Sequence, residues 1–129
     1  FEKQLYANPD QDLNTLWWRL VEKYQFVKKP IGRDEPDWAS KIHFAIAPCY
    51  YHNYVLGELF ASQMHHYIIS DVLGLQSDRD VSCVGEERAG NFMREKVFAP
   101  GAKYRWDNMI EMAFGEPLTA KYYAGQFVR

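Results

Sequence analysis

What this sequence lacks narrows the field first. No run of apolar residues approaches the ~18–20 that a membrane-spanning helix requires, so no element is expected to cross a bilayer. There is no HExxH, no GxSxG, no P-loop and no GxGxxG, which removes the common self-contained zinc, serine and nucleotide chemistries. Cysteine is scarce: Cys49 and Cys83 stand alone, without a CxxC or any zinc-ligand spacing. A disulfide between them needs an oxidising compartment and a short separation, and two free, buried thiols are the plainer expectation. An excess of one charge is missing too. The formal net charge is -2, and acidic and basic residues mix in "VGEERAGNFMREK", a solvated helix face that gives nucleic acid no patch to bind. An initiator methionine is absent from the opening "FEKQLYANPD", and a processed or excised fragment is the expectation.

What is present is apolar, aromatic and helical. At 129 residues the chain has the length of one domain, 1–129, large enough to bury a core. Aromatic residues make up 16% and are spread throughout, so large rings are available to core and surface alike. In "NPDQDLNTLWWRLVEKY" the residues Leu13, Leu16, Trp17, Leu20 and Tyr24 share a helical face. Asn8 is placed to cap this helix, with Pro9 at its first position and Gln11 at capping-box spacing; it should end near Tyr24 or Gln25. "VKKPIGRDEP" must be a loop, and "DWASKIHFAIA" reads as a short helical turn or an extended passage.

From Pro48 to Gly74 a long central helix is expected, apolar on several sides and therefore buried. "QSDRDVS" follows as a loop, then a helix in "VGEERAGNFMREKVF", another in "YRWDNMIEMAF" burying Trp106, Met109, Ile110 and Phe114, and a last one in "LTAKYYAGQFV" capped by Thr119. No strand pattern and no repeat occurs. The fold class is all-α, an array of about five helices.

The residues that invite chemistry crowd between Lys41 and Tyr54. Lys41 and His43 are two apart, so an extended passage puts both on one side, where a cation and an imidazole suit an anionic or carbonyl-bearing ligand. The alternative is a surface lysine beside a core histidine satisfied by a backbone carbonyl. Tyr50 with Tyr54, or Tyr51 with Tyr54, would share a face of the long helix and could aim two phenols at a carboxylate or oxyanion. An aromatic helix–helix contact with the hydroxyls at the rim is the plainer account of them taken alone. Taken alone, these residues are no complete catalytic set.

The run "EKYQ…P…R…DW..K.H…P.YY..Y", from about Leu20 to Tyr54, resembles the C-terminal part of the angiotensin-converting-enzyme family of zinc peptidyl-dipeptidases, its bacterial members in particular. A looser helical likeness continues to "EPLTAKYYAGQFV". The resemblance implies a larger, mostly helical zinc peptidase that takes a peptide with a free C-terminus. Lys41 would bind the substrate carboxylate, and His43 would hydrogen-bond the substrate backbone near the scissile bond. Of two tyrosines three apart, Tyr51 would help hold the carboxylate and Tyr54 would donate to the oxyanion.

The register leaves a choice. The family places its first tyrosine directly after the proline and seven residues after the histidine, whereas here Cys49 follows Pro48 and the seventh position is Tyr50. One added residue restores Tyr51 and Tyr54; otherwise Tyr50 is the carboxylate ligand and Asn53 takes the second slot. The family's chloride-binding arginine is replaced by Asn53, which argues against chloride activation. The zinc-binding HExxH helix and the third, glutamate ligand lie upstream in the family, outside this chain. The implied zinc therefore belongs to the intact parent, none is expected in this fragment, and the fragment alone is expected to be inactive. The remainder of the parent chain would be its partner, and a periplasmic or extracellular setting follows from the same resemblance. A non-catalytic helical interaction domain is the competing reading.

Overall fold

The computed structural model describes residues 1–76 and 81–127. Its regular elements are helices; no strand occurs among the described residues. The all-α expectation holds. To the five helices expected it adds two short ones, α1 (Glu2–Ala7) and α3 (Ile42–Ala45). By packing, the chain divides into two compact units, Phe1–Asn53 and Tyr54–Arg129.

In the first unit, α2 spans Leu13–Gln25 and carries the buried Leu16 and Val21. Its cap is Asp12 rather than Asn8. The Asp12 carboxylate accepts from the Thr15 N–H at 2.9 Å and from the Thr15 hydroxyl at 2.6 Å, while Asn8 instead ends α1. A charged acceptor three residues ahead of its donor satisfies an orphan amide at the positive helix end, which a residue farther out cannot do. These bonds from Thr15 hold the Asp12 carboxyl below its ordinary range. At the other end, Phe26 adopts a left-handed φ of 59° and stops the helix after Gln25. The following loop is clamped by Arg33, whose guanidinium grips Asp37 with contacts of 2.6 and 2.9 Å. A single 3-10 turn, Asp37–Ser40, then leads into α3, and its Trp38 donates to the Asn14 side chain of α2 at 3.1 Å.

The long helix does not start at Pro48. Cys49 takes a left-handed φ of 58°, a turn closes with the Asn53 N–H on Tyr50 O at 2.9 Å, and α4 runs Asn53–Tyr67. A left-handed residue cannot continue a right-handed helix, so the first helical residue must lie beyond it. Nor is this helix buried throughout: Tyr54 and Val55 are 56% and 61% exposed.

In the second unit α4 continues through a π-helical stretch, Ile68–Val72, and ends at Gly74, whose φ is 72°. The Leu75 N–H reaches back across that glycine to Ile69 O at 2.9 Å, a closure that favours glycine in the left-handed position. Ile68, Ile69 and Leu73 pack with Ala89 of α5 (Glu87–Phe92), which itself runs into a π-helical stretch, Met93–Phe98. A second cluster, Ile110, Ala113 and Phe114, belongs to α6 (Trp106–Phe114), and Met64 and Phe92 pack against both clusters. Trp106, expected inside, is 54% exposed at the open start of α6.

Gln63, buried and polar, ties the C-terminal segment to α4. It donates to Pro117 O at 3.2 Å and accepts from the Thr119 N–H at 3.0 Å. Thr119 then accepts from the Lys121 N–H at 3.2 Å, its expected capping role, ahead of α7 (Lys121–Phe127). Most of the expected loop "QSDRDVS" and the last residue of "LTAKYYAGQFV" lie outside the described residues.

Candidate functional site

Lys41 sits at the joint between the 3-10 turn and α3, with extended backbone, φ -80° and ψ 105°. His43 lies in the single turn of α3. The passage is therefore neither wholly extended nor wholly helical. Lys41 projects toward α2, its ammonium 5.9 Å from the centre of the Trp17 ring. It makes no salt bridge among the described residues, so its positive charge is tethered by the ring face without being neutralised.

His43 has a different neighbour. Its imidazole stacks on Tyr51, with centroids 4.4 Å apart and planes 5° from parallel. Tyr51 in turn meets the Phe44 ring nearly edge-on at 6.0 Å, and Phe44 meets Trp17 edge-on at 5.9 Å. Phe1 closes the group, 5.4 Å from Trp17 and 5.3 Å from Phe44. The first unit thus carries a continuous run of rings, Trp17–Phe44–Tyr51–His43, with the Lys41 ammonium over its far end. Edge-to-face pairs lock ring orientation as well as burying area, which makes this run a frame for the two polar side chains at its ends.

Tyr50 and Tyr51 stand on the turn before α4 rather than inside it, so the helical spacing expected to pair either with Tyr54 does not describe them. Tyr54 lies in the first turn of α4 and opens the second unit. Tyr50, Tyr51 and Tyr54 are 50%, 43% and 56% exposed. Lys41 also borders an open cleft of about 310 Å³ in the first unit, shared with Trp17, Trp18, Arg33, Asp37 and Ser40. Arg33 and Asp37 neutralise each other there: the guanidinium holds the Asp37 carboxyl below its usual range, and the carboxylate pushes Arg33 further up. Of the cations lining that cleft, Lys41 makes no salt bridge among the described residues.

Cys49 is exposed and Cys83 half-buried, and neither forms a disulfide among the described residues. The expectation of two buried thiols fails for Cys49 because its left-handed turn is held at the surface. Of the framing rings, sequence reasoning placed Trp17 on the apolar face of its helix but singled out neither Phe44 nor Phe1. For Phe44 and Phe1 the trace was the aromatic share of 16%, too diffuse to locate them.

The peptidase family model described as angiotensin-converting enzyme matches residues 6–122. No curated protein and no solved structure matches the chain.

Proposed function

The chain belongs to the angiotensin-converting enzyme family, and from that premise we propose that it is the substrate-binding part of a zinc metallopeptidase releasing dipeptides, or similar short units, from peptide C-termini. The observation that carries the reading is the ring frame with Lys41 at one end and His43 at the other, inside the matched residues 6–122. Lys41 receives the substrate's C-terminal carboxylate in a charge-assisted hydrogen bond, and Tyr51 contributes its hydroxyl to the same group. Tyr50 is the substitute for Tyr51 if the register runs one residue earlier. His43 donates to the substrate backbone beside the scissile bond, and Tyr54 donates to the oxyanion that develops there.

We place the metal site outside this chain. Among the described residues no group of three or more histidine, cysteine, aspartate or glutamate side chains can hold a metal ion. In this proposal the zinc ligands belong to the rest of a parent chain, in a bacterial protein of the periplasm or the extracellular space, and the isolated chain cleaves nothing. Support for the setting comes from the resemblance alone.

The test uses the intact parent and matched peptides with free or amidated C-termini. Cleavage of the free peptides, with the amidated ones cut much more slowly, is expected. Equal cleavage of both, or none of either, overturns the reading. For the isolated chain, metal analysis after dialysis should find no stoichiometric zinc, and about one tightly held zinc per chain would refute the division of labour.

A further inference from the structure

The ring frame ends in a joint that a residue far away in the sequence helps to hold. Between α3 and α4 the chain turns at Cys49, whose φ of 58° is unfavourable for any residue with a Cβ. The Cys49 N–H is held at 2.8 Å by Oε1 of Glu2, a residue 47 positions earlier in the sequence. That same oxygen accepts from the Tyr6 hydroxyl at 3.1 Å, so the carboxylate is itself fixed within α1. The helix that carries it is anchored as well. Arg19 of α2 donates to the Gln4 side chain at 3.3 Å, Gln11 donates to Gln4 O and Asn8 O at 2.7 Å, and Phe1 is inserted among Trp17, Trp38 and Phe44.

The geometry points to Glu2 as a positioning residue for substrate binding. Its carboxylate holds Cys49 in the left-handed turn, and that turn sets the direction in which Tyr50 and Tyr51 leave it. Tyr51 then presents one ring face to His43 and its hydroxyl to the ligand. The chemistry suits that role, since a carboxylate accepting from a backbone N–H makes one of the stronger hydrogen bonds, and this one is directed at the strained residue of the joint. Glu2 touches no substrate. It acts through Cys49, and the consequence for catalysis rests on the peptidase reading above.

Two measurements separate the joint from the activity. In the 129-residue chain, amide exchange at Cys49 reads the bond directly. Glu2→Ala should accelerate it about tenfold, and Glu2→Gln, which keeps an acceptor oxygen, should restore most of the protection. In the intact peptidase, Glu2→Ala should raise KM for peptides with a free C-terminus about tenfold while kcat moves little, again rescued by Glu2→Gln. Cys49→Gly supplies the control, because glycine adopts the left-handed turn without help. In that background Glu2→Ala should change KM much less. Unchanged exchange in Glu2→Ala overturns the proposal at the bond, and faster exchange with unchanged KM overturns the positioning role. A wild-type parent that cleaves no peptide would instead overturn the peptidase reading, with the exchange result still deciding whether Glu2 holds the turn.

Discussion

The imidazole of His43 lies flat on the phenol ring of Tyr51, 4.4 Å between centroids and 5° between planes. The two roles proposed above, substrate hydrogen bonding by His43 and carboxylate binding by Tyr51, therefore fall on two stacked rings. The Tyr51 ring also meets Phe44 edge-on.

Two substitutions at Tyr51 separate the hydroxyl from the ring. Tyr51→Phe keeps the stack and removes the donor, so in the intact peptidase KM for free-carboxylate peptides should rise about tenfold with kcat nearly intact. Tyr51→Leu removes both, and kcat should fall as well because His43 loses the face that orients it. Identical kinetics for the two variants would show that the stack is idle.

Gln63 offers a test of the fold without activity. Its side chain is 1% exposed and satisfies two backbone groups of the segment that leads into α7. Gln63→Ala leaves Pro117 O and the Thr119 N–H without their partner, and each buried unmade bond costs about 1–3 kcal/mol. A loss of about 3 kcal/mol in urea unfolding is expected, more than an average substitution produces. A change below about 0.5 kcal/mol would mean that water replaces the amide at no cost.

Acid should weaken the protein through three aspartates. Asp12, Asp37 and Asp107 all titrate below their ordinary values, held down chiefly by bonds from Thr15, Arg33 and Arg105 respectively. A folded-state value lowered below the unfolded one, about 3.9, contributes stability above that pH and loses it as pH falls through the folded value. The urea midpoint should therefore be level near neutrality and fall below about pH 4. Asp12→Asn should flatten part of that fall while keeping an acceptor for the Thr15 N–H. A midpoint that rises on acidification would contradict the sign.

The sequence made some of this legible and hid the rest for identifiable reasons. The end of α6 was plain, since Gly115 followed by Pro117 can stop a helix in one way, and Gly115 takes a φ of 76° there. The end of α2 was nearly as plain. Its start was not, because Asn8, Asp10 and Asp12 all offer capping oxygens, and only the Asp12–Thr15 geometry decides among them. The π-helical stretches at Ile68–Val72 and Met93–Phe98 leave no mark on a hydrophobic period. The joint at Cys49 was invisible for a deeper reason. A non-glycine residue stands in the left-handed region with its N–H bonded 47 positions away, and no local pattern encodes that contact. The Lys41–His43 spacing could be read, and so could Trp17 and Tyr51 one by one; their contacts with the two side chains, and the Phe44 ring between them, could not.

The last expectation decides the register of the tyrosines. Asn53 begins α4 and Tyr54 follows it in the first turn, so they occupy consecutive positions of one helix and point about 100° apart. Only one can face a substrate's developing oxyanion. Our assignment favours Tyr54, whose phenol reaches farther than a carboxamide and stands 56% exposed. In the intact peptidase Tyr54→Phe should lower kcat about 10²-fold, the loss expected for one oxyanion donor, with little change in KM. Lys41→Ala should act on the other quantity: KM should rise for peptides with a free C-terminus and change less for amidated ones, because the lost charge serves the carboxylate. The opposite pattern is equally specific. A silent Tyr54→Phe with a crippled Asn53→Ala or Tyr50→Phe shifts the register by one residue and makes Tyr50 the carboxylate ligand. If Lys41, Tyr50, Tyr51, Asn53 and Tyr54 all tolerate substitution with unchanged kinetics, the exposed rings serve packing against another surface and not peptide hydrolysis.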